Sequence, residues 1–247
     1  MIDRRQLLAD LLPATALAFL LASPAAAEAA KGAAARAYRN WLRKSDELTG
    51  LLRGAAVTDA EWRSGLTRLQ SDVALGDVLT AIDFEKLRET TGFAELGVAT
   101  AKLKLPDGTS RPINFFLKLF ALGEGRAIIP HGHANMVSAH MILSGQMRLR
   151  QYDQLARDAS TMRIRPAFDR TARPGEICSI GEFDENVHWF VANEPSHTLD
   201  LIVTGLDDGA ASAFGIFNLD MNAARDIGNG ELDAPILDVD EALAKYG

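Results

Sequence analysis

The spacing of apolar residues along the chain changes near residue 95. Before that point, from Ala29 to about Thr91, apolar side chains recur every three or four positions, which predicts helices. Thr58 and Glu61 have the spacing of a capping box at one helix start. A last short helix is predicted from Asp83, and Gly92 ends it. The first third of the chain is therefore predicted to be helical.

After residue 95 the chain has the pattern of short strands separated by turns. The alternating stretch Val98–Leu105 and the apolar stretch Ile113–Leu122 flank the turn sequence Pro106-Asp107-Gly108. Further strands are predicted at Met136–Leu143, Gln146–Tyr152, Met162–Arg165, Glu176–Ile180, Val187–Asn193 and Leu199–Gly205. Such a series predicts an all-β double-sheet jelly roll or barrel with an N-terminal helical extension. After about Phe217 we predict a loop, followed by a short helix over Asp238–Tyr246.

The N-terminal residues have the pattern of an export signal. A charged start containing Arg4 and Arg5 precedes an apolar run over 11–22, and small residues at 23–27 form a cleavage site. The apolar run is too short to span a bilayer core of about 30 Å. The paired arginines resemble a twin-arginine signal, which exports folded proteins. An ordinary secretory signal and an uncleaved anchor are the alternatives.

These patterns divide the chain into four predicted segments. They are a signal peptide at 1–27, a helical extension at 28–92, a β barrel at 93–225 and a C-terminal tail at 226–247. The predicted location is the periplasm or another exported compartment, with no stable membrane span after cleavage of the signal. The helices are expected to cap one end of the barrel or to build a homodimer contact.

The composition narrows the classes of partner. The net charge of −7 is spread without long runs, whereas nucleic-acid binding requires a basic face, so no nucleic-acid partner is predicted. Cys178 is the only cysteine, so no intrachain disulfide can form. Its strand position predicts a small buried side chain rather than a nucleophile, which would need exposure and a nearby base.

The histidines suggest a metal site. There are five, all beyond residue 130: His131, His133, His140, His188 and His197. On a strand, His131 and His133 point to the same face, where two imidazoles can share a metal. A third ligand must come from another strand, and His188 is the candidate. Three protein ligands leave positions open for substrate and O₂. The alternative is a pair of histidines held by hydrogen bonds without metal.

The spacing around these histidines resembles the cupin family. The first cupin motif is matched by Gly125, His131-Gly132-His133, Ser138 and Gly145, and the second by Arg173-Pro174-Gly175-Glu176, His188 and Asn193. The resemblance covers about 120 to 205. It implies a double-stranded β-helix barrel with a metal on the three histidines. Ser138 stands where cupins usually carry a glutamate ligand, so the implied site has histidine ligands alone.

Three-histidine cupins include thiol dioxygenases, and segment 115–125, with its Gly-Glu-Gly turn, resembles the cysteine dioxygenase type. The resemblance implies a non-haem Fe(II) dioxygenase that adds O₂ to a small, thiol-type substrate, although another divalent metal would also fit. The serine-histidine-tyrosine group of the cysteine enzymes has no tyrosine counterpart in 198–202. The alternatives are a non-catalytic periplasmic cupin that binds metal or ligand, and a Zn-, Mn- or Ni-dependent hydrolase, lyase or isomerase.

Two residues are candidates for catalysis beside the metal. His140 follows Ser138 by two positions and shares its face, so both are predicted to point inward. His140 could be a hydrogen-bond partner, a general base or a replacement ligand; the alternative is a buried histidine bonded to a backbone carbonyl. His197 is predicted to be a surface loop residue.

Charged residues near the motifs could bind a substrate or orient a ligand. The candidate cations are Lys102, Lys104, Arg111, Arg126, Arg148 and Arg150, among which the sequence does not choose. The acidic loop before His188 contains Glu182, Asp184 and Glu185. It is predicted to lie at the surface, or to orient a histidine ligand through a carboxylate.

Overall fold

The computed structural model of the protein describes residues 23–103, 105, 113–212 and 214–247. Helices α1 (Pro24–Arg53), α2 (Asp59–Gln70), α3 (Leu75–Ala81) and α4 (Phe84–Thr91) come first. The strands that follow are β1 (Ala99–Lys102), β2 (Phe116–Leu122), β3 (Ala127–Ala134), β4 (Met136–Ser144), β5 (Met147–Arg157), β6 (Thr161–Ala172), β7 (Ile177–Ile180), β8 (Val187–Ala192), β9 (Ser196–Thr204), β10 (Gly215–Leu219), β11 (Arg225–Gly228) and β12 (Glu231–Leu237). Helix α5 (Val239–Tyr246) ends the chain.

The strands form two antiparallel sheets. The smaller sheet has the order β1-β2-β9-β4-β7, and the larger has the order β10-β3-β8-β5-β6-β12-β11. From β2 to β9, the chain repeatedly crosses from one sheet to the other, which is the topology of a jelly roll or double-stranded β-helix. The all-β fold class predicted from the sequence, with its helical extension, is confirmed.

Local sequence signals account for the helix starts. Ser23 caps α1, where its side chain accepts a hydrogen bond from the Ala26 N–H. The predicted capping box of Thr58 and Glu61 is present at the start of α2. Asp238 caps α5 in the same way, which confirms the predicted C-terminal helix. These caps satisfy N–H groups that a helix leaves unpaired at its first turn.

The N-terminal helices cover the outer face of the smaller sheet. Trp41 and Trp62 from the helices pack in one buried cluster with Leu117, Leu119 and Leu201 from the sheet. Of the two expectations for the helices, capping of one barrel end is therefore wrong, and a homodimer contact stays a prediction. Because successive strand residues point to opposite faces, this packing directs the alternate positions of β2, β4 and β9 into the space between the sheets.

The loop predicted after Phe217 is wrong, because strands β10, β11 and β12 occupy this part of the chain. Segment 226–247, predicted as a tail, contributes β12, which pairs with β6 in the larger sheet. Most of β12 is only half-buried; Ala234 is its buried residue. Such a strand lacks the clear alternation of apolar and polar residues from which strands are predicted. It forms because it is hydrogen-bonded to strands that are distant in the sequence. Strand β6 likewise extends beyond its predicted end at Arg165, through mostly exposed positions.

The predicted signal sequence lies almost entirely outside the described residues, which begin at Ser23. The paired arginines and the apolar run before Ser23 therefore stay predictions. Within the described part of the chain, no helix combines the length and the apolar character needed to cross a membrane.

Candidate metal centre

Three histidines meet on the inner face of the larger sheet. His131 and His133 lie on β3, and His188 lies opposite His131 on the neighbouring strand β8. One side-chain nitrogen from each falls within 4.8 Å of the other two, close enough to hold a single metal ion. The three rings pack with centroid separations of 4.2 to 4.9 Å. The structure thus brings together the three residues that the motif spacing singled out.

A bulge in β3 turns the histidine pair inward. Ile128 pairs with Phe190, yet His131 pairs with His188, so β3 has one residue more than β8 across this interval. A bulge of this kind reverses the alternation of inward and outward side chains, and it accommodates Pro130, which cannot donate to the ladder. Ile128, at an even-numbered position, and the histidine pair, at odd-numbered positions, can therefore all line the interior.

Backbone carbonyls orient two of the rings. Nδ1 of His131 lies 2.7 Å from the Ile129 carbonyl, and Nδ1 of His188 lies 3.1 Å from the Asn186 carbonyl. A carbonyl oxygen only accepts, so each Nδ1 carries the proton and donates it. In a neutral ring this leaves the Nε2 lone pair free, which is the form that ligates a metal. The donor set therefore fits a divalent ion that prefers imidazole.

Burial keeps the cluster uncharged. Desolvation lowers the pKa of His131 to about 4, although its hydrogen bond to Ile129 acts in the opposite direction. The pKa values of His133 and His188 lie well below the ordinary value, first because of burial and then because the other histidines are close. All three imidazoles are thus neutral near pH 7 and are available as ligands.

The same shifts predict an acid-sensitive metal-free protein. Because the pKa of His131 is near 4 when folded and near 6.5 when unfolded, the unfolded chain binds more protons between these values. The contribution of neutral His131 to the free energy of unfolding is therefore fully present above about pH 6.5 and is lost as the pH drops towards 4. Between about pH 7.5 and pH 5, this one residue should lower the free energy of unfolding by about 2 kcal/mol. Thermal melting of metal-free protein across this range tests the prediction; His131→Gln should reduce the slope, and an equal slope in that variant would contradict it.

Asn186 joins the two strands that carry the histidines, a role the sequence analysis missed. Its Oδ1 accepts the backbone N–H of His133 at 2.8 Å. Its Nδ2 donates to the carbonyls of His133, Gly181 and Glu182, at 3.2, 3.0 and 2.7 Å. The glycine between the histidines permits this approach, because a Cβ on Gly132 would lie 2.7 Å from the Asn186 Oδ1. The side chain is fully buried.

The acidic loop before His188 does not orient a histidine. Glu182 instead accepts the backbone N–H groups of Asn135 and Met136, at 2.7 and 2.9 Å. Glu185 pairs with Arg63 of α2 at 3.0 Å. The loop therefore connects the start of β4 to the helical layer. The histidine rings are oriented by backbone carbonyls and not by its carboxylates.

His140 and Ser138 point inward from β4, as predicted, and form a polar row beside the cluster. Nδ1 of His140 lies 2.9 Å from Oδ2 of Asp200, which is fully buried on β9, although the two atoms lack the alignment of a full hydrogen bond. The other oxygen of Asp200 accepts the Thr198 hydroxyl at 2.5 Å. Nε2 of His140 faces the Ser138 hydroxyl at 3.4 Å. His140 is outside the three-nitrogen group, and its side chain donates no hydrogen bond to a backbone carbonyl of the described residues.

Asp200 was also missed by the sequence analysis. The available signal was a lone carboxylate among the apolar residues of β9, at a position that faces inward. Its partner could not be read from the chain, because His140 lies opposite Asp200 only through the register of β4 and β9.

His197 is not a surface loop residue, so that prediction is wrong. It belongs to β9, is 4% exposed, and packs between Phe84 and Phe93 under the helical layer. Its Nδ1 lies 2.9 Å from the Ser144 hydroxyl. Cys178 is buried, and burial raises the pKa of its thiol to about 11, which is unsuited to a nucleophile. Neither residue belongs to the histidine cluster.

The cluster opens onto a cavity of about 550 Å³ between the sheets. The lining residues are Lys102, Phe116, Lys118, Phe120, Ile128, His131, His133, Met136, Ser138, His140, His188, Ile202, Thr204, Phe214 and Ile216. The cavity has the size and the mainly apolar wall of a small-molecule site. Its polar groups are the two lysines at one side and the histidines, Ser138 and Thr204.

Of the candidate cations, Lys102 reaches the cavity and the other described ones are engaged elsewhere. Arg126 donates to the carbonyl of Gly247, and Arg148 pairs with Asp169. The guanidinium of Arg150 stacks over Trp189, 4.1 Å from the ring centroid. Lys104 and Arg111 lie outside the described residues. Lys118, which was not among the candidates, joins Lys102 at the cavity.

Fold and site together define a double-stranded β-helix with a three-histidine cluster able to hold a metal. No family model matches the chain, and no curated protein matches it. Among solved structures, a cupin superfamily protein from Desulfitobacterium hafniense is 14% identical over 47% of this chain and 85% of its own, with a TM-score of 0.33. KdgF from a Halomonas species is 16% identical over 43% and 77%, with a TM-score of 0.31. A double-stranded β-helix protein from Klebsiella pneumoniae is 12% identical over 53% and 92%, with a TM-score of 0.36.

Proposed function

We propose that this protein is an exported, metal-dependent cupin that binds Fe(II) through His131, His133 and His188 and adds O₂ to a small organic substrate. One observation carries the proposal: three neutral imidazoles each place a nitrogen within 4.8 Å of the other two, at the wall of a mostly apolar cavity. Three protein ligands leave positions for substrate and O₂, and bound iron would supply the redox chemistry.

The protein's own part is to hold the reactants and exclude water. The apolar wall, formed by residues such as Phe120 and Ile202, keeps the space beside the cluster dry. The hydroxyl of Ser138 can donate to or accept from a bound substrate. The Nε2 of His140 faces the same space and can take a proton from the substrate, while Asp200 behind the ring would stabilise the charged imidazole.

A second candidate is a Zn-, Mn- or Ni-dependent lyase or isomerase on the same residues. The His140–Asp200 pair favours it, because a general base beside a Lewis acid is sufficient for proton abstraction without O₂. A small thiol stays the first substrate class for the oxygenase, on the resemblance of segment 115–125 to thiol dioxygenases. A protein that binds metal or ligand without catalysis is the third reading.

Anaerobic purification followed by metal quantification and oxygen-uptake assays separates these candidates. We expect about one metal ion per chain, and oxygen uptake that depends on a member of a panel of small thiols and diketones. His140→Gln should retain the metal and lower uptake by about 10²-fold or more, the usual effect of losing a general base. Bound metal without uptake would favour the lyase or binding roles, and failure to bind metal after reconstitution would refute the proposal.

A further inference from the structure

We propose that the cavity takes an anionic substrate with an apolar body, whose carboxylate is held by Lys118 and Lys102. This inference rests on the proposed function, because it names the substrate class of the same site. This substrate class is inferred from the charge distribution around the cavity, which does not depend on a bound metal.

Lys118 is a half-buried cation on the inner face of β2. It stands between Phe116 and Phe120, two residues that also line the cavity, whereas its neighbours Leu117 and Leu119 pack under the helices. Among the described residues, the side chain of Lys118 makes no ion pair and no hydrogen bond. An ammonium group that loses part of its water and gains no partner is costly to the fold, so the position favours a ligand that supplies the missing charge.

The carboxylate that lies nearest in register makes no contact ion pair with Lys118 among the described residues. Asp200 faces Lys118 across β2 and β9, but one of its oxygens lies 2.9 Å from Nδ1 of His140 and the other accepts from the Thr198 hydroxyl. Asp200 is also absent from the lining of the cavity. A ligand in the cavity can therefore reach the lysine without displacing a bound carboxylate.

Lys102 doubles the positive charge at this side of the cavity. It is exposed on the edge strand β1 and pairs directly with Lys118 in the register of β1 and β2. Its side chain too makes no ion pair or hydrogen bond in the described part of the chain. Like charges directly opposite each other on neighbouring strands are destabilising. A carboxylate placed between the two ammonium groups would remove this repulsion and would accept hydrogen bonds from both.

The rest of the wall defines the body of the substrate. Its side chains are mainly aliphatic and aromatic, among them Ile128, Met136 and Ile216, and no described lining residue is acidic. A substrate ammonium group would therefore have no partner and two like charges beside it. An amino acid such as cysteine fits this cavity poorly, and a carboxylate on an aliphatic or aromatic body fits it well.

Calorimetric titration with four probes tests the inference: octanoate, octylamine, octanol and acetate, each on metal-free and on zinc-loaded protein. We expect octanoate to bind at least about 10-fold more tightly than octanol or acetate, and octylamine not to bind, because a charge-assisted hydrogen bond adds to burial of the chain. Lys118→Met should weaken octanoate about 10- to 100-fold and leave octanol unchanged. Lys86→Met, which removes an exposed lysine of α4, is the matched control and should change nothing.

The outcomes distinguish this inference from the proposed function. The substrate class would be overturned, even if the protein holds metal, by either of two results. One is that octylamine binds as tightly as octanoate or more tightly, and the other is that Lys118→Met leaves the affinity for octanoate unchanged. Octanoate binding by a protein that never takes up metal would leave the substrate class standing and refute the metal-dependent reaction. If Lys118→Met does not fold, the comparison of octanoate with octylamine on the unaltered chain decides.

Discussion

Replacing His188 by alanine should empty the metal centre as completely as replacing His131. The three nitrogens lie within 4.8 Å of one another, and no carboxylate of the described residues belongs to the group, so two histidines would remain to hold the ion. We expect metal content to fall from about one ion per chain to near zero, and affinity to fall at least about 100-fold, more than the loss of an outer partner costs. Metal analysis after dialysis against a weak chelator measures this.

The matched control is His140→Ala. His140 lies on the other sheet, with its ring 5.5 Å from that of His188, and its Nδ1 faces Asp200 at 2.9 Å. This variant should therefore keep its metal, and its melting curve shows whether Asp200, deprived of its partner, still permits folding. Loss of metal from folded His140→Ala would mean that His140 is a ligand and that the assignment of His131, His133 and His188 is incomplete.

The sequence predicted the elements whose signals are local. The capping box at Thr58, the helix ending at Gly92 and the apolar strand reaching Leu122 each depend on neighbours a few residues away. Strands β10 and β12 were missed because they are short and mostly half-buried, and because they pair with β3 and β6 more than fifty residues earlier. Strand β11 is exposed and, among the described strands, pairs only with β12. That pairing has no signature within the strands themselves.

The site, too, contains residues with a local sequence signal and residues whose role depends on long-range pairing. The pair of histidines on β3 was predictable from its spacing, and the third ligand from the second motif. Asp200, Asn186 and Lys118 were not, because each acquires its role from a residue on another strand or loop that only the register brings close. The prediction that His197 is a surface residue failed for a related reason. His197 follows a turn, where residues are usually exposed, but the helical layer covers that part of the sheet.

Asn186→Ala should damage both the fold and the metal centre. The change leaves the backbone N–H of His133 and three carbonyls without their buried partner, and a small cavity remains beside Gly132. Each unpaired buried group costs about 1–3 kcal/mol, partly offset where water can enter, so we expect a net loss of about 3 kcal/mol. For a chain of this size the melting temperature should fall by roughly 6–12 °C.

Metal affinity should fall with the stability, because the side chain of Asn186 fixes the strand position of His133. The backbone carbonyl that accepts from His188 is kept in this variant, but without the side-chain bonds its segment is no longer tied to β3 through the amide. The expected loss is about 10- to 100-fold, the usual effect of removing a group that orients a ligand. Asn193→Ala, at an exposed position just after β8, is the control and should leave both quantities unchanged. If Asn186→Ala melts at the normal temperature and binds metal normally, the two ligand strands are held in register by their ladder alone, and the amide is dispensable.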